Sequence, residues 1–488
     1  MIFEICVTIL VGLWIYYNIL EQKHREKYKK FYALPTPKTL PLIGNIHYGF
    51  NEDNLLGIIQ SLVKDGGNPC VLYLPKRNYL TSNPEELKII LNHPNALDKS
   101  FIYDTLREVF QSSLLMTDVT QWKKNRKMIS KGFNQVILDS FVDVFYEKSC
   151  ILIDILRKFN IDGDNMFHLF ERYTLETFCE ATLGVESSLL TDNDTTFVKA
   201  ITEGQRMTMA RLMSLIQRND FIFKHFYKKG KILIEIKNYV MDFVQNIIDK
   251  KRIAMGEDNY IFNKNKLPVL DLLLENYEKK NLTDQYIKEE MTLFAGAATD
   301  TTAYSMAYTC CLLAMHPEVQ EKVYKEAMDI VGQDRIIDCN DLIALKYTEM
   351  AINEALRLLP VVPIIGRQAT ADINLGEMTI PKNTGIFIYI FALHRDPKIY
   401  SNPLKYDPNR FSPEEIAKRP QYSFIPFSGG PRNCIGWKYA MMIMKMTIAN
   451  IVRNFKITTK HKSVEEFEFE SSIVMNMKYP MDCHFHPR

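Results

Sequence analysis

The segment from Phe427 to Gly436, FSGGPRNCIG, surrounds one cysteine, Cys434, with glycines. Glycine permits tight turns and lets the backbone approach a flat ligand closely. Backbone N–H groups in such a turn can point at the sulfur, and the positive start of the helix predicted after it favours thiolate over thiol. Structural zinc takes four ligands, and no Cys or His stands at short spacing from Cys434. The pattern therefore indicates a thiolate bound to a metal whose other ligands come from a macrocycle.

Two further patterns place an arginine on the same helical face as a second functional side chain. Trp122 and Arg126 stand four residues apart, and the arginine fork matches a carboxylate. Glu354 and Arg357 stand three residues apart and can pair through charge-assisted hydrogen bonds. Alone, such pairs are more often solvated or simply packed. In combination with the cysteine loop, the Trp122–Arg126 pair indicates a binding site, whereas the Glu354–Arg357 pair indicates a structural contact.

The segment Ala297 to Thr302, AATDTT, combines small residues, an acid and hydroxyl groups within a long apolar stretch. A threonine hydroxyl can bond backward to the helix backbone, and an adjacent acid can feed protons inward. Two registers are open. Asp300 with Thr301 retains an acid beside a doubled threonine, whereas a register on Thr299 retains Gly296 but has alanine in place of the acid. The first register is favoured because it keeps the acid and both hydroxyl groups.

The cysteine loop resembles the haem-binding loop of the cytochrome P-450 family, Phe-x-x-Gly-x-Arg-x-Cys-x-Gly, and meets every fixed position. The resemblance implies that Cys434 is the axial ligand of the haem iron. It also implies that Phe427 shields the sulfur and that Arg432 pairs with a haem propionate. Within the family, the sequence is most similar to the microsomal group that contains fatty-acid omega-hydroxylases and insect members.

The same resemblance assigns further haem contacts. Trp122 and Arg126 bind a propionate, and Arg367, in the stretch PIIGRQAT, is the further partner. Some family members attach haem covalently through a glutamate four residues before the helix threonine. Ala297 stands at that position, so we expect haem b to be held without a covalent bond.

The resemblance also gives roles to the remaining motifs. Asp300 and Thr301 match the oxygen-activation segment of the family and are the expected catalytic residues. Glu354 and Arg357 are expected to join Arg410, from a downstream Pro-x-Arg-Phe segment, in a structural trio behind the haem loop.

The resemblance implies a monooxygenase that inserts one oxygen atom from O2 into an apolar small molecule. The chain has no Gly-rich dinucleotide or flavin motif, so we expect electrons from NADPH through NADPH-cytochrome P-450 reductase, sometimes helped by cytochrome b-five. A haem-thiolate isomerase or dehydratase is disfavoured by the acid–threonine pair, and a non-enzymatic haem or lipid binder by the complete set of motifs. Four lysines are candidates for a basic face that steers an acidic partner, or are ordinary solvated residues: Lys123, Lys124, Lys127 and Lys438.

The substrate stays open between a fatty acid, a terpenoid or hormone-like molecule and a xenobiotic. By resemblance it is selected by the loop around residues 95 to 120 and the region near 205 to 230. The Phe, Met and Leu content of these segments predicts an apolar cavity, although the same residues suit an ordinary core.

The elements that must position these residues are mostly helical. From Thr283, a predicted N-cap, the chain is apolar almost all round until His316-Pro317, which predicts a central helix of about 32 residues. Amphipathic stretches at about 136 to 160 and 230 to 253 predict outer helices, and Cys70 to Ser82 predicts a hairpin. We expect a mainly α fold with small β-sheets, by resemblance the cytochrome P-450 fold, with haem between the central helix and the cysteine loop.

The N-terminal region has the pattern of a membrane anchor. Residues 2 to 20 are apolar over about 30 Å as a helix and precede a basic block. This predicts a membrane anchor over residues 1–20, a basic and proline-rich hinge over 21–44, and one cytosolic catalytic domain over 45–488. The resemblance to the microsomal group implies that the membrane is that of the endoplasmic reticulum. The polar stretch Lys251 to Lys266 predicts a surface loop.

Composition excludes other classes of protein. The 488 residues are 47% hydrophobic, enough for a large core. A net charge of +2, from 60 basic and 58 acidic residues, offers no excess to bind a polyanion, so nucleic acid is not an expected partner. The nine cysteines include no C-x-x-C pair, as expected in a reducing compartment.

Overall fold

The computed structural model describes the whole chain except residues 1, 42, 51–54, 75, 160–164, 193–194, 215, 257–267, 280–281 and 471. Helices dominate the described residues, and the strands are short and form small sheets. The expected mainly α fold with small β-sheets is therefore confirmed.

The α-helices are numbered α1 to α20 in chain order. The first half of the chain contributes α1 (Ile2–Lys27), α2 (Lys29–Tyr32), α3 (Leu55–Gly66), α4 (Pro84–Asn92), α5 (Arg107–Phe110), α6 (Val119–Ile129), α7 (Gln135–Asp139), α8 (Val142–Leu156), α9 (Met166–Phe178) and α10 (Thr196–Met213). The chain from residue 220 onward contributes α11 (Asp220–Phe226), α12 (Lys228–Met255), α13 (Val269–Lys279), α14 (Asp284–Met315), α15 (Pro317–Ile330), α16 (Cys339–Ala344), α17 (Lys346–Leu358), α18 (Ile390–Leu393), α19 (Pro413–Lys418) and α20 (Trp437–Asn454).

The strands form one four-stranded sheet and three two-stranded sheets. The strands are β1 (Cys70–Tyr73), β2 (Arg77–Thr81), β3 (Ile364–Gln368), β4 (Ile373–Asn374), β5 (Thr379–Ile380), β6 (Gly385–Tyr389), β7 (Phe455–Thr459), β8 (Phe469–Glu470), β9 (Asn476–Met477) and β10 (Cys483–Pro487). The larger sheet has the order β1-β2-β6-β3, with β2 parallel to β6 and the other pairs antiparallel. The predicted hairpin is confirmed as β1–β2, with Cys70 opposite Leu80.

Helix α14 is the predicted central helix. Thr283 caps its start, and its side chain accepts a hydrogen bond from the N–H of Tyr286 at 3.1 Å. The helix ends at Met315 because His316 precedes a proline, which disfavours the helical conformation. Its side chains are buried almost all round, against α9, α12, α17, α20 and β7. An apolar helix of this length is stable only inside the molecule.

The amphipathic stretches differ in part from expectation. The stretch at 136 to 160 is not one helix: α7 ends at Asp139 and α8 begins at Val142. Between them the Ser140 hydroxyl donates to the Ile137 carbonyl at 2.7 Å, a local bond that competes with helix continuation. The second stretch lies within α12, which runs to Met255 and so includes the start of the predicted loop at 251 to 266. Most of that loop lies outside the described residues.

The N-terminal segment contacts the four-stranded sheet and its neighbours. Arg77 of β2 pairs with Glu21 of α1 at 2.9 Å, and Tyr28 donates a hydrogen bond to Asp372 at 2.7 Å. The Phe31 side chain is fully buried beside this sheet. Among the described helices, none is both long and apolar enough to cross a membrane.

Candidate functional site

The loop that carries Cys434 is closed by its own backbone. The N–H of Cys434 donates to the carbonyl of Phe427 at 2.9 Å. Gly430 has a φ of 67°, in the left-handed region, and a Cβ there would collide with the carbonyl oxygen of Leu91. Gly436 then caps α20, so Cys434 precedes the positive end of that helix by two residues.

Cys434 is an exposed residue, and protein atoms pack densely around its side chain. Burial raises the pKa of the Cys434 thiol, whereas a hydrogen bond from the N–H of Gly436 and the charge of Arg126 act to lower it. The backbone donor expected from the glycine-rich turn is present. Phe427, at the start of the loop, packs against the main hydrophobic core.

Arg126 and Arg432 connect the loop to the elements around it. Arg126, on α6, donates to the carbonyl of Asn433 at 3.0 Å and to its side-chain oxygen at 2.9 Å. Arg432 donates to three backbone carbonyl groups, among them that of Leu97 at 3.0 Å. Its guanidinium also lies 4.3 Å from the ring centroid of Trp122. The structure therefore brings Trp122, Arg126 and Arg432 together beside Cys434.

Arg367 and Lys99 add positive charge to the same region. Arg367 is 1% exposed and donates to the Ser428 hydroxyl at 3.3 Å. Burial and the charges of Arg367 and Arg432 lower the pKa of Lys99 well below its usual range. Burial, reinforced by Arg367, lowers the pKa of Arg432 to about 10. In the part of the chain that the structure describes, neither these three side chains nor Arg126 form an ion pair with a carboxylate.

This cation cluster fits the carboxylates of a haem. Buried positive charge without a counter-ion is costly, and two propionates would supply counter-ions to the buried Arg367 and Arg432. Arg126, Arg367, Arg432 and Lys99 would hold the propionates, and the Cys434 sulfur would bind the iron. When bound, the haem supplies an iron centre at which dioxygen is reduced and its O–O bond is split.

Lys99 is a site residue that the sequence motifs do not indicate. It belongs to no recognisable pattern, and the loop around residues 95 to 120 was assigned only to substrate selection. The loop also contains Arg107 and several acids, so a single lysine within it does not identify a ligand-binding residue. Its role depends on the tertiary approach of Arg367 and Arg432.

One face of α14 borders accessible space. Ala297 is exposed and Thr301, one turn later, is half-buried, whereas Thr299 and Asp300 are 0% and 2% exposed. The Thr301 hydroxyl donates to the carbonyl of Ala297 at 2.7 Å, and that of Thr299 donates to the carbonyl of Ala295 at 2.6 Å. The backward hydrogen bond is the same in both registers. Accessibility distinguishes them, and Thr301 is the accessible residue.

Asp300 faces away from that accessible side. Its Oδ2 accepts a hydrogen bond from the side-chain amide of Gln205 on α10, and its Oδ1 has no partner among the described residues. Burial and the charge of Glu171 raise the pKa of Asp300 well above its usual range, which the bond from Gln205 only partly offsets. Neighbouring residues on a helix point about 100° apart. The structure therefore does not bring the Asp300 carboxyl and the Thr301 hydroxyl into one space.

The expected structural trio is present behind the loop. Glu354 and Arg357 are both fully buried and form two hydrogen bonds of 2.7 Å. Arg410 lies 3.3 Å from the same carboxylate. Arg357 also donates to the carbonyl groups of His394 and Pro403, at 2.7 and 2.8 Å. The trio thus ties α17 to the chain segment that leads to the cysteine loop.

Both predicted substrate-selecting regions line an apolar cavity of about 140 Å³. Phe101 and Leu106 come from the first region, and Met209 and Leu212 from the second. Arg218 is a charged residue at the cavity wall, where it donates to the Leu212 carbonyl at 2.8 Å. An apolar wall with few polar groups suits an apolar small molecule.

The amino-acid sequence matches one family model and several proteins of insects. A family model described as "Cytochrome P450" matches residues 34–484. "Cytochrome P450 4c21" of Blattella germanica is 31% identical over 96% of both chains. "Cytochrome P450 4c3" and "Cytochrome P450 4g1" of Drosophila melanogaster are 29% and 28% identical over 98% of this chain and 94% and 93% of their own length.

With the helical fold and the cysteine loop, these matches define a haem-thiolate monooxygenase, an oxidoreductase. The chain belongs to the cytochrome P-450 family. The expected similarity to the group with insect members is confirmed.

Proposed function

We propose that the protein inserts one oxygen atom from O2 into an apolar small molecule at a haem held by Cys434. The overall reaction converts R–H, O2, two electrons and two protons into R–OH and water. The observation that carries the proposal is the exposed Cys434 residue beside three arginines and a lysine, none of which forms an ion pair with a carboxylate of the described chain. A thiolate ligand makes the iron electron-rich, which favours O–O cleavage.

The residues of this chain have separate tasks in the proposed reaction. Arg126, Arg367, Arg432 and Lys99 would orient the propionates beside Trp122, and Phe427 would shield the Cys434 sulfur. Thr301 would offer a hydroxyl group that holds a proton on the accessible face of α14. Asp300 would supply protons to that face after its carboxyl group turns away from Gln205. The raised pKa of Asp300 supports this role, because a carboxyl group can donate only when it carries a proton.

The substrate that we propose is apolar and small: a fatty acid, a terpenoid or hormone-like molecule, or a xenobiotic. The cavity lined by Phe101, Leu106, Met209 and Leu212 supports this class. A panel of such molecules, scored by the spin-state shift that each produces in the haem spectrum, would rank the candidates.

Electrons are proposed to come from NADPH through NADPH-cytochrome P-450 reductase, with help from cytochrome b-five. The Lys123, Lys124 and Lys127 side chains on α6 are exposed, and α6 also supplies Arg126 to the cysteine loop. Lys438 is half-buried and donates to Gln135 at 3.3 Å. Location at the endoplasmic reticulum membrane, through an anchor over residues 1–20, stays a prediction.

The test is a carbon monoxide difference spectrum of the dithionite-reduced protein. We expect wild-type protein to show the strongly red-shifted Soret band of thiolate-bound haem, and Cys434→Ser to lose it. Cys339→Ser is the control, because Cys339 is also partly accessible but lies outside the cysteine loop. Its thiol donates a hydrogen bond to the carbonyl of Asp139 at the end of α7. Equal spectra for wild type and Cys434→Ser would contradict the proposal. Product formation that needs NADPH and reductase separates a monooxygenase from an isomerase, a dehydratase or a haem carrier.

A further inference from the structure

A histidine and a second carboxyl group lie between solvent and α14. Helix α9 is buried along its whole length except at His168, whose side chain is 32% exposed. Nδ1 of His168 lies 2.7 Å from Oε2 of Glu171, nearly one helical turn later. Glu171 itself is 0% exposed. An imidazole that solvent can reach therefore contacts a carboxyl group that solvent cannot reach.

One turn of α10 connects this pair to Asp300. The Thr202 hydroxyl donates to the carbonyl of Val198 at 3.1 Å and lies 3.4 Å from Oε1 of Glu171. Gln205, three residues later, donates to Oδ2 of Asp300, and its own carbonyl oxygen accepts a hydrogen bond from the Ser472 hydroxyl at 3.2 Å. Gln205 thus holds the Asp300 carboxyl group in place, while Oδ1 of Asp300 has no hydrogen-bond partner among the described residues.

The two carboxyl groups share too little positive charge for both to ionise. Among the described residues, neither Glu171 nor Asp300 pairs with a lysine or an arginine, and only His168 faces them as a base. Burial raises the pKa of Glu171, and burial and the Glu171 charge raise that of Asp300. Like charges in a buried site keep one proton between them. Tyr304 interacts electrostatically with both carboxyl groups and with Glu470. Arg172, next to Glu171 on α9, is buried and donates to the carbonyl of His168 at 3.3 Å.

A purely structural role does not explain this arrangement. Burying two acids without a cation lowers the stability of the fold, and at position 300 an asparagine could accept the one hydrogen bond from Gln205 at lower cost. Groups whose pKa is shifted by burial and by each other are characteristic of sites that transfer protons. The proposed reaction consumes two protons per oxygen atom inserted, and Asp300 has no contact with solvent of its own.

We propose that His168 and Glu171 form a proton inlet that supplies Asp300 from solvent. Gln205 is the positioning residue of this inlet. His168 takes a proton from water, the His168–Glu171 pair passes one to Asp300, and each proton that Asp300 gives up is replaced. No electron moves in the inlet. It rests on the proposed monooxygenase function, because that reaction is what consumes the protons.

The test compares Glu171→Gln with Glu176→Gln. Glutamine at 171 keeps the size and the hydrogen-bond acceptor of glutamate but cannot carry a proton. Glu176 is the matched control, since it is equally buried on α9 but pairs with Lys148 at 3.1 Å. With reductase, we expect Glu171→Gln to form about tenfold less product per NADPH, to release more peroxide, and to show a larger solvent isotope effect in D2O. His168→Gln should change in the same direction by a smaller factor.

A second readout does not depend on turnover. A carboxyl group with a raised pKa in the folded state stabilises the fold at low pH, and this contribution is lost as pH rises from its unfolded value through its folded value. We therefore expect the thermal midpoint of wild type to fall more between pH 5 and pH 8 than that of Glu171→Gln. Carbon monoxide spectra should be the same for all variants.

The outcomes separate the two proposals. If wild type turns over and Glu171→Gln behaves like Glu176→Gln in product yield, isotope effect and pH dependence, the inlet is wrong and the monooxygenase proposal stands. If wild-type protein forms no product with NADPH and reductase, the proposed function is wrong and the inlet is overturned with it.

Discussion

Two threonine hydroxyls on α14 make the same hydrogen bond in different surroundings. Both donate to the carbonyl four residues earlier, at 2.7 Å for Thr301 and 2.6 Å for Thr299. Thr299 is fully buried against α9, where its carbonyl accepts a hydrogen bond from Thr174 at 3.0 Å. Thr301 shares the accessible face of the helix with Ala297. Of the two threonines, only Thr301 therefore lies on the face of α14 that borders accessible space.

Substitution of each threonine by alanine tests this difference. We expect Thr301→Ala to lower product per NADPH about tenfold, with the electrons released as peroxide, because the hydroxyl that holds a proton near oxygen is lost. Thr299→Ala should leave this ratio near the wild-type value and lower stability by about 1 kcal/mol through the lost buried hydrogen bond. The ratio of peroxide to product and the thermal midpoint measure the two effects. The opposite ranking would place the site at Thr299.

At the scale of residues, the sequence predicts those site residues that stand at fixed spacing within a motif. Cys434, Arg432 and Phe427 stand within ten residues, so one motif identified all three. Lys99 belongs to no motif, and only the folded chain brings it to Arg367 and Arg432. Roles that depend on several distant elements leave no pattern along the chain.

At the scale of elements, side chains of α14 form hydrogen bonds with the backbone of the loop that follows α5. Glu289 accepts a hydrogen bond from the N–H of Ser112 at 3.1 Å, and Glu290 accepts one from the N–H of Leu114 at 3.0 Å. The loop carries part of the predicted substrate-selecting region, and its Leu114 carbonyl accepts a bond from Arg432 at 3.4 Å. The acidic start of α14 thus connects the loop over the proposed substrate region to the haem-binding arginines.

The Glu290 contact predicts a pH dependence of stability. Burial raises the pKa of Glu290 from 4.5 to about 7. Its contribution is fully present below the unfolded pKa and is lost as pH rises from 4.5 through 7, by at most roughly 3 kcal/mol. Glu290→Gln keeps the acceptor for Leu114 but does not titrate. We expect the thermal midpoint to fall less between pH 5 and pH 8 in the variant, and an equal fall in both proteins would contradict the assignment.

Sequence predicted the elements whose ends carry strong local signals. Thr283 and Pro317 bound α14 because a capping hydroxyl and a proline act within one turn. The break between α7 and α8 was not predicted, because apolar spacing continues through Ser140 while its hydroxyl satisfies the Ile137 carbonyl. Periodicity reports which side of an element is buried, and it is insensitive to a single competing hydrogen bond.

At the scale of the whole molecule, charge is balanced overall but uneven locally. The net charge is only +2, yet three exposed lysines lie within five residues on α6. The same helix donates from Arg126 to the residue before Cys434. The exposed lysines thus lie on the helix that contacts the cysteine loop. This basic surface is well placed to receive a negatively charged electron donor, since complementary charge speeds docking.

Reversing these charges tests the docking surface. We expect the combined change Lys123→Glu, Lys124→Glu and Lys127→Glu to slow electron transfer from the reductase about tenfold at low salt, with less difference from wild type as ionic strength rises. Stopped-flow reduction of the haem under carbon monoxide measures the rate. The control changes three exposed lysines of α12, Lys228, Lys231 and Lys250, to glutamate, which alters the net charge equally. If the control slows reduction as much as the α6 variant does, net charge alone governs the encounter and α6 is not the docking surface.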